Sequence, residues 1–375
     1  MRTVVGQVAT RLPRERSGRS ARPVLPPAGP VWFSSVMGTG ILATLLARDA
    51  SQVPVLLVPA SLLTLVGVLL LIGLTASFGG RAARDPAVLT NTLRDPAVVP
   101  TWGTVSMGIL SIGSALLTVL PQLGAHAASG APARWVVVTD AGCWVVGTGL
   151  GVVTAFGFAT VLLRRNLRDP VPAWGLPLVP PMVSATTGAA LIPQVGPHVR
   201  MALLVAVVAC FFLALFLGTL VFATAYHHHF RRAALPIAAS ASAWIPLGMV
   251  GQSMAAAQVI ASQSSPLLTP SAADAARRLA DAYGYVMLAV AVPVVAHAVT
   301  MTVRGVRARM PFSPGWWALT FPIGTLALGT RLLGSSTSHP CITAVGVAAT
   351  AALCGTWALC AVASVVTIRR VHARR

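Results

Sequence analysis

Most of the side chains in this chain that can do chemistry sit inside long apolar runs, and most of those are hydroxyls: Thr39, Thr104, Ser106, Thr186, Thr187, Ser253, Thr320 and Thr325. A hydroxyl in such a place can donate to an anion that has shed part of its water. It can also turn back onto the carbonyl one helical turn earlier, which is the commoner use. Donors this weak predict loose binding and modest selectivity, ordered partly by the cost of dehydration. Two charged residues lie near apolar runs, Arg331 and Asp140. Arg331 follows Phe321 by about 15 Å along a helix. There it either attracts anions through its field or snorkels to the interface. Asp140 stands near the end of its run and reads as a solvated or paired acid, with a proton-coupling role as the functional alternative. Phe321 precedes Pro322; a ring of that size either blocks a narrow path or packs like any other membrane phenylalanine.

Enzyme chemistry has one candidate. Gly251-Gln252-Ser253-Met254 and His297 supply a serine and a histidine, the pair that an intramembrane serine hydrolase needs within hydrogen-bond reach. His227, His228 and His229 are consecutive and point in different directions on a helix, so they read as a solvated loop end and not a spaced metal site. Cys143, Cys210, Cys341, Cys354 and Cys360 lie in or beside apolar segments without metal-type spacing. Neither a His-Glu-x-x-His pair nor a phosphate-cradling Gly-rich loop with lysine occurs. The sequence therefore predicts no cofactor, no metal site and no enzyme. A membrane assembly factor that moves no solute is a further alternative to transport.

The elements that would position these groups follow from composition. The chain has 375 residues, 55% hydrophobic and 9% charged. Soluble domains run near one quarter charged, so this chain cannot keep a soluble surface wet. Its apolar runs are long enough to cross a hydrocarbon core. We read ten transmembrane helices at about 31–47, 53–78, 98–120, 135–163, 172–194, 200–226, 234–262, 279–303, 314–334 and 341–367. Residues 1–30 read as a disordered basic cytoplasmic tail, 31–368 as the membrane domain and 369–375 as a short basic tail. The net charge is +19 and every basic residue is arginine. These arginines stand between apolar runs, so topology explains them better than nucleic-acid binding. With the N-terminus in the cytoplasm, 21 of the 27 fall on that side. They include Arg81, Arg84 and Arg94, Arg164, Arg165 and Arg168, and Arg304, Arg307 and Arg309. Arg48, Arg134, Arg200, Arg277, Arg278 and Arg331 fall on the other. The positive-inside rule then selects two cytoplasmic termini in a multi-pass protein of the cell membrane.

Helix breakers segregate. The odd-numbered runs share a broken centre: Gly38 and Gly40 in the first; Pro100 and Gly103 in the third; Pro180 and Pro181 in the fifth; Pro246 and Gly248 in the seventh; Pro322 and Gly324 in the ninth. The even runs are smoother, with Pro293 deep in the eighth. This predicts an all-α fold of five helical hairpins, each a bent helix followed by a straight one. Proline kinks a helix, and irregular backbone at membrane depth is tolerated where it lines a wet cavity. Gly38, Gly40, Pro100, Gly103, Pro181, Pro246 and Pro322 are thus candidate pore-lining or kink residues.

Three motifs carry a family resemblance. Residues 32–41 (WFSSVMGTGI), 178–188 (LVPPMVSATTG) and 316–328 (WWALTFPIGTLAL) resemble the first, fifth and ninth spans of the tellurite-resistance/dicarboxylate transporter family. That family includes bacterial tellurite-resistance proteins, yeast malate permeases, fungal sulfite exporters and plant slow-type anion channels. The resemblance implies five hairpins around a central pore, a homotrimer with one pore per subunit, and small anions as cargo: C4-dicarboxylates such as malate, sulfite or related oxyanions, or monovalent anions. It also implies that an aromatic ring of the ninth span plugs the pore; matched motif to motif, that ring is Phe321. The Gly-Thr-Gly of the first motif leans toward the malate and sulfite branch. The anion-contact candidates under this reading are Thr39, Ser106, Thr186, Thr187, Ser253, Thr320, Thr325 and Arg331.

Overall fold

The structure, a computed structural model, describes residues 25–128, 130–164, 170–232 and 234–373. The basic segment 1–24 and Arg165, Arg168, Arg374 and Arg375 lie outside these residues. The α-helices are α1 (Phe33–Asp49), α2 (Leu57–Arg84), α3 (Pro86–Arg94), α4 (Trp102–Val119), α5 (Arg134–Arg164), α6 (Pro180–Leu191), α7 (Pro197–Arg231), α8 (Ile245–Ser264), α9 (Pro270–Arg307), α10 (Phe321–Ser336) and α11 (Pro340–His372). Extended pairing among the described residues is confined to a bridge between His126 and Pro132. Among the described residues eight helical segments are long and apolar enough to cross a bilayer: Pro30–Asp49, Pro54–Arg84, Val99–Leu123, Arg134–Leu162, Pro172–Gln194, Pro197–Arg231, Pro270–Arg307 and Pro340–Val371, which contain α1, α2, α4, α5, α6, α7, α9 and α11 with their flanking 3-10 turns. The chain is a multi-pass all-α membrane protein.

The helices divide into an inner and an outer set. In α1, 89% of the most apolar stretch is buried, and in α6 the same share, whereas α2, α9 and α11 bury 17%. On α2 the large exposed residues are Val58, Leu62, Leu65, Val66, Leu69 and Ile72, which recur every three or four positions, while Ala60, Leu63, Thr64 and Gly67 face inward. That spacing is one helical stripe turned to lipid and one turned to protein. The inner set, α1, α4, α6, α8 and α10, closes on itself: α1 packs on α4, α4 on α6, α6 on α8, α8 on α10 and α10 on α1. Each inner helix also packs on the long helix that follows it, α1 on α2, α4 on α5, α6 on α7, α8 on α9 and α10 on α11. Walled off from lipid, α8 tolerates buried Gln252, Ser253 and Gln258.

The breaks in the inner segments differ from proline kinks in mid-helix. A short 3-10 stretch precedes each inner α-helix, at 30–32, 99–101, 172–175, 237–244 and 314–319, with turn residues 176–179 between the third stretch and α6. Pro180 opens α6, Pro246 and Pro322 stand at the second positions of α8 and α10, and Pro100 lies within the 3-10 turn before α4. Proline suits these places because the first N–H groups of a helix have no intrahelical partner to lose. Gly38 and Gly40 break nothing; they lie inside the continuous α1. Their small size serves packing: a side chain at Gly38 would overlap the Thr320 hydroxyl, and one at Gly40 would meet Ser111. Gly103 likewise lets α4 approach the backbone at Leu176. Small residues that allow backbones to close on each other are the usual device of membrane helix packing.

Polar cross-links fix the register. The Trp357 indole donates to Thr39 Oγ1 (2.9 Å), Trp317 to Ser364 Oγ (3.1 Å), Trp144 to the Ser184 carbonyl (2.9 Å) and Trp244 to Thr302 Oγ1 (2.8 Å). Ser106 Oγ donates to the Gly147 carbonyl (2.6 Å). Each ties an inner segment to an outer helix. At its far end α11 carries Arg369 and Arg370 in helical structure.

Candidate functional site

A cavity of about 40 Å³ lies within the ring of inner helices, and all five line it. From α1 come Ile41, Thr44 and Arg48; from α4, Ser111 and Ser114. Val183, Thr186, Thr187 and Ala190 come from α6, Gln252 and Val259 from α8, and Phe321 and Leu328 from α10. On each helix the spacing is three, four or seven, one face turned to a common axis. A second cavity of about 190 Å³ is lined by the beginnings of the same segments, among them Ser34 and Met37, Thr101 and Thr104, Leu176, Ile245 and Ala318. Since the earlier residues of all five segments meet at one cavity and the later ones at the other, the five inner helices run parallel. The step from one lining to the other is Met37 to Ile41 on α1, Thr104 to Ser111 on α4 and Ala318 to Phe321 on α10, about 5–10 Å along the axis. Phe321 is 3% exposed and stands in this step, its ring walling the smaller cavity.

The hydroxyls predicted as anion contacts divide by position. Thr186 and Thr187 line the smaller cavity, but their hydroxyls donate to the carbonyls of Met182 (3.3 Å) and Val183 (3.0 Å). Thr104 lines the larger one and donates to the Pro30 and Thr101 carbonyls. Thr39 and Ser106 face the outer helices through the bonds described above. Thr320 donates to the Trp317 carbonyl (2.7 Å) and lies against Gly38, and Thr325 donates to that of Pro322 (2.8 Å). Ser253 donates to Val250 (3.0 Å) beside Tyr283. A hydroxyl whose hydrogen is spent on its own helix offers an anion only lone pairs. Neither cavity is lined by Thr39, Ser106, Ser253, Thr320 or Thr325.

The charges also differ from expectation. Arg331 is ion-paired with Asp49 across α10 and α1, so it is neither a free attractor nor a snorkelling side chain. Asp140 is 2% exposed and lies between α5 and α4 beside Gly113, not at a solvated edge. His227, His228 and His229 belong to the last turns of α7, where His229 accepts from the Leu235 N–H (2.9 Å) and its ring meets that of His297. That contact separates the hydrolase pair. His297 clusters with Tyr226, His229 and Phe230, whereas Ser253 neighbours Tyr283, about 21 Å from His297 along α9.

The polar residues on the cavity that sequence reasoning passed over are Thr44, Arg48, Ser111, Ser114 and Gln252. Arg48 had served only to orient the chain. The signal was the helical period: Ile41 to Arg48, Gln252 to Val259 and Phe321 to Leu328 are each seven residues apart. Gln252 Nε2 donates to Thr186 Oγ1 at 2.8 Å, and Gln252 Oε1 is buried without a partner. Among the described residues no cluster of three metal-ligating side chains occurs.

The family model described as voltage-dependent anion channel (SLAC1) matches residues 28–365. Sulfite efflux pumps named SSU1 from Arthroderma benhamiae and Trichophyton rubrum are each 26% identical over 325 residues, covering 83% of this chain and 83% of theirs. A third, from Arthroderma otae, is 26% identical over 318 residues, covering 81% of each.

Proposed function

Because the chain belongs to the voltage-dependent anion channel family, we propose that it carries small anions, sulfite foremost, along the axis of the inner helices, with the ring of Phe321 as the gate. The observation that supports this reading is the shared lining: five parallel helices face one axis, the buried Phe321 lines the smaller cavity, and Ala318, three residues earlier, lines the larger one. Phenylalanine suits the role because it fills space and offers an anion no donor. The parallel arrangement also helps. Helix N-termini carry a positive partial charge, and the larger cavity lies at the beginnings of the five inner segments, which favours entry of an anion there.

In this reading α8 and α10, each with its leading 3-10 stretch, also cross the bilayer, giving ten spans in five hairpins. Residues 1–30 and 369–375 are cytoplasmic and 31–368 form the transport unit. The protein resides in the cell membrane with both termini inside, supported by the arginine distribution. The subunits form a homotrimer with one path each, on the strength of the family resemblance. Pro100, Gly103, Pro181, Pro246 and Pro322 shape the entry to the path, and Gly38 and Gly40 set the distance between α1 and its neighbours.

The test is a flux panel in proteoliposomes with chloride, nitrate, sulfite and malate, each with and without a pH gradient. Sulfite flux above that of empty vesicles supports the reading. Malate flux that follows the gradient, without sulfite flux, favours a coupled dicarboxylate carrier. No flux of any anion from correctly inserted protein leaves an assembly role.

A further inference from the structure

We propose that the smaller cavity is an oxyanion-binding station whose donors are the Arg48 guanidinium and the hydroxyls of Ser111 and Ser114, and that it selects sulfite-sized ions against four-carbon dicarboxylates. The inference deepens the transport reading and rests on it. A donor census carries it. Thr44, Thr186 and Thr187 also line the cavity, but all three donate to their own helices, at Gly40, Met182 and Val183. No hydrogen bond holds the hydroxyl of Ser111 or Ser114 among the described residues, so both can donate into the cavity. One hydrogen of Gln252 Nε2 goes to Thr186, which leaves the second available.

Arg48 is the charged residue of the lining. Its neighbour Asp49 is taken up by Arg331, so the carboxylate nearest in sequence does not neutralise it. Arg48 is exposed and lines the cavity. Its position also answers an electrostatic problem. The inner helices run parallel, so their C-terminal, carbonyl-rich ends lie at this mouth and disfavour anions. A guanidinium in the last turn of α1 offsets that field, and its planar fork matches two oxygens of one oxyanion.

The lining sets the ligand class. The cavity carries one cationic side chain, Arg48, with two serine hydroxyls, a donor set that suits one pyramidal or planar oxyanion such as sulfite or nitrate. The apolar remainder of the wall, Ile41, Val183, Val259 and Leu328, gives the second carboxylate of a dicarboxylate such as malate no partner.

Purified protein is compared with Arg48→Gln, Arg48→Lys and the double variant Ser111→Ala/Ser114→Ala in two assays. One is sulfite flux against concentration in proteoliposomes, from either side, with malate as competitor. The other is the shift in melting temperature in detergent on adding sulfite, which reads binding without transport. Arg48→Gln should raise the half-saturating sulfite concentration about tenfold or more from the Arg48 side and abolish the melting shift, since a charged hydrogen bond is lost. Arg48→Lys should retain most of both, and the double serine variant should raise half-saturation about threefold to fivefold, the loss of a neutral hydrogen bond. Malate should compete weakly. Wild-type half-saturation and melting shift in Arg48→Gln and in the serine variant would overturn the station, as would malate competing on equal terms. If sulfite stabilises the wild type but not Arg48→Gln while no protein shows flux, the station stands and the transport reading falls. Should Arg48→Gln not fold, the serine pair and Arg48→Lys decide.

Discussion

Arg331 in α10 is ion-paired with Asp49, the last residue of α1, and so locks together two helices nearly 300 residues apart in sequence. The pair is less than a quarter exposed on either side, so removing one partner strands the other in partial burial. Asp49→Asn should therefore lower stability by about 1–3 kcal/mol, between the values for exposed and fully buried pairs. Melting in detergent reads this, and the swapped pair Asp49→Arg with Arg331→Asp should recover part of it. A melting temperature unchanged in Asp49→Asn would mean that the pair contributes nothing.

Gly38 separates α1 from the Thr320 hydroxyl by less than the space a methyl group needs. Gly38→Ala should cost about 1–3 kcal/mol, as overpacking does. Gly73 on α2 has nothing within 4 Å of the same position. Gly73→Ala should be neutral or stabilising by up to about 1 kcal/mol through helix propensity. Equal melting of the two variants would argue against close approach at Gly38.

Ser253 and His297 are apart, and neither lines the axis. Ser253→Ala and His297→Ala should each leave anion flux within about twofold of wild type, the usual spread for a site with no role in the path. Peptidase activity that depended on both residues would contradict the packing of α8 and α9.

The membrane class was legible from composition, because few charges and long apolar runs leave a chain no other solvent. The inner and outer sets were legible too, through proline and glycine that recur in alternate runs. Their mechanism was not: Pro180, Pro246 and Pro322 stand at the first or second positions of α-helices, and a sequence does not distinguish an interior proline from one at a helix start when both flanks are apolar. The contact residues were harder still. A list of membrane hydroxyls does not say which have spent their hydrogen on their own helix, as Thr186 and Thr325 have. Nor does it say which way each helix faces, and that decides why Ser111 lines the cavity and Ser106, about one and a half turns earlier, bonds to α5. Once Phe321 is taken as a marker of the axis, the seven-residue step recovers Leu328 on its own helix. The matching steps on α1 and α8 lead to Arg48 and Gln252.

The central claim, that a single ring closes the path, is tested most directly by sulfite flux through Phe321→Ala in proteoliposomes, with insertion and folding checked by melting. The account predicts passive flux about tenfold or more above wild type, since the closing group is gone while the lining of both cavities is kept. Flux at the wild-type level from folded Phe321→Ala would contradict it.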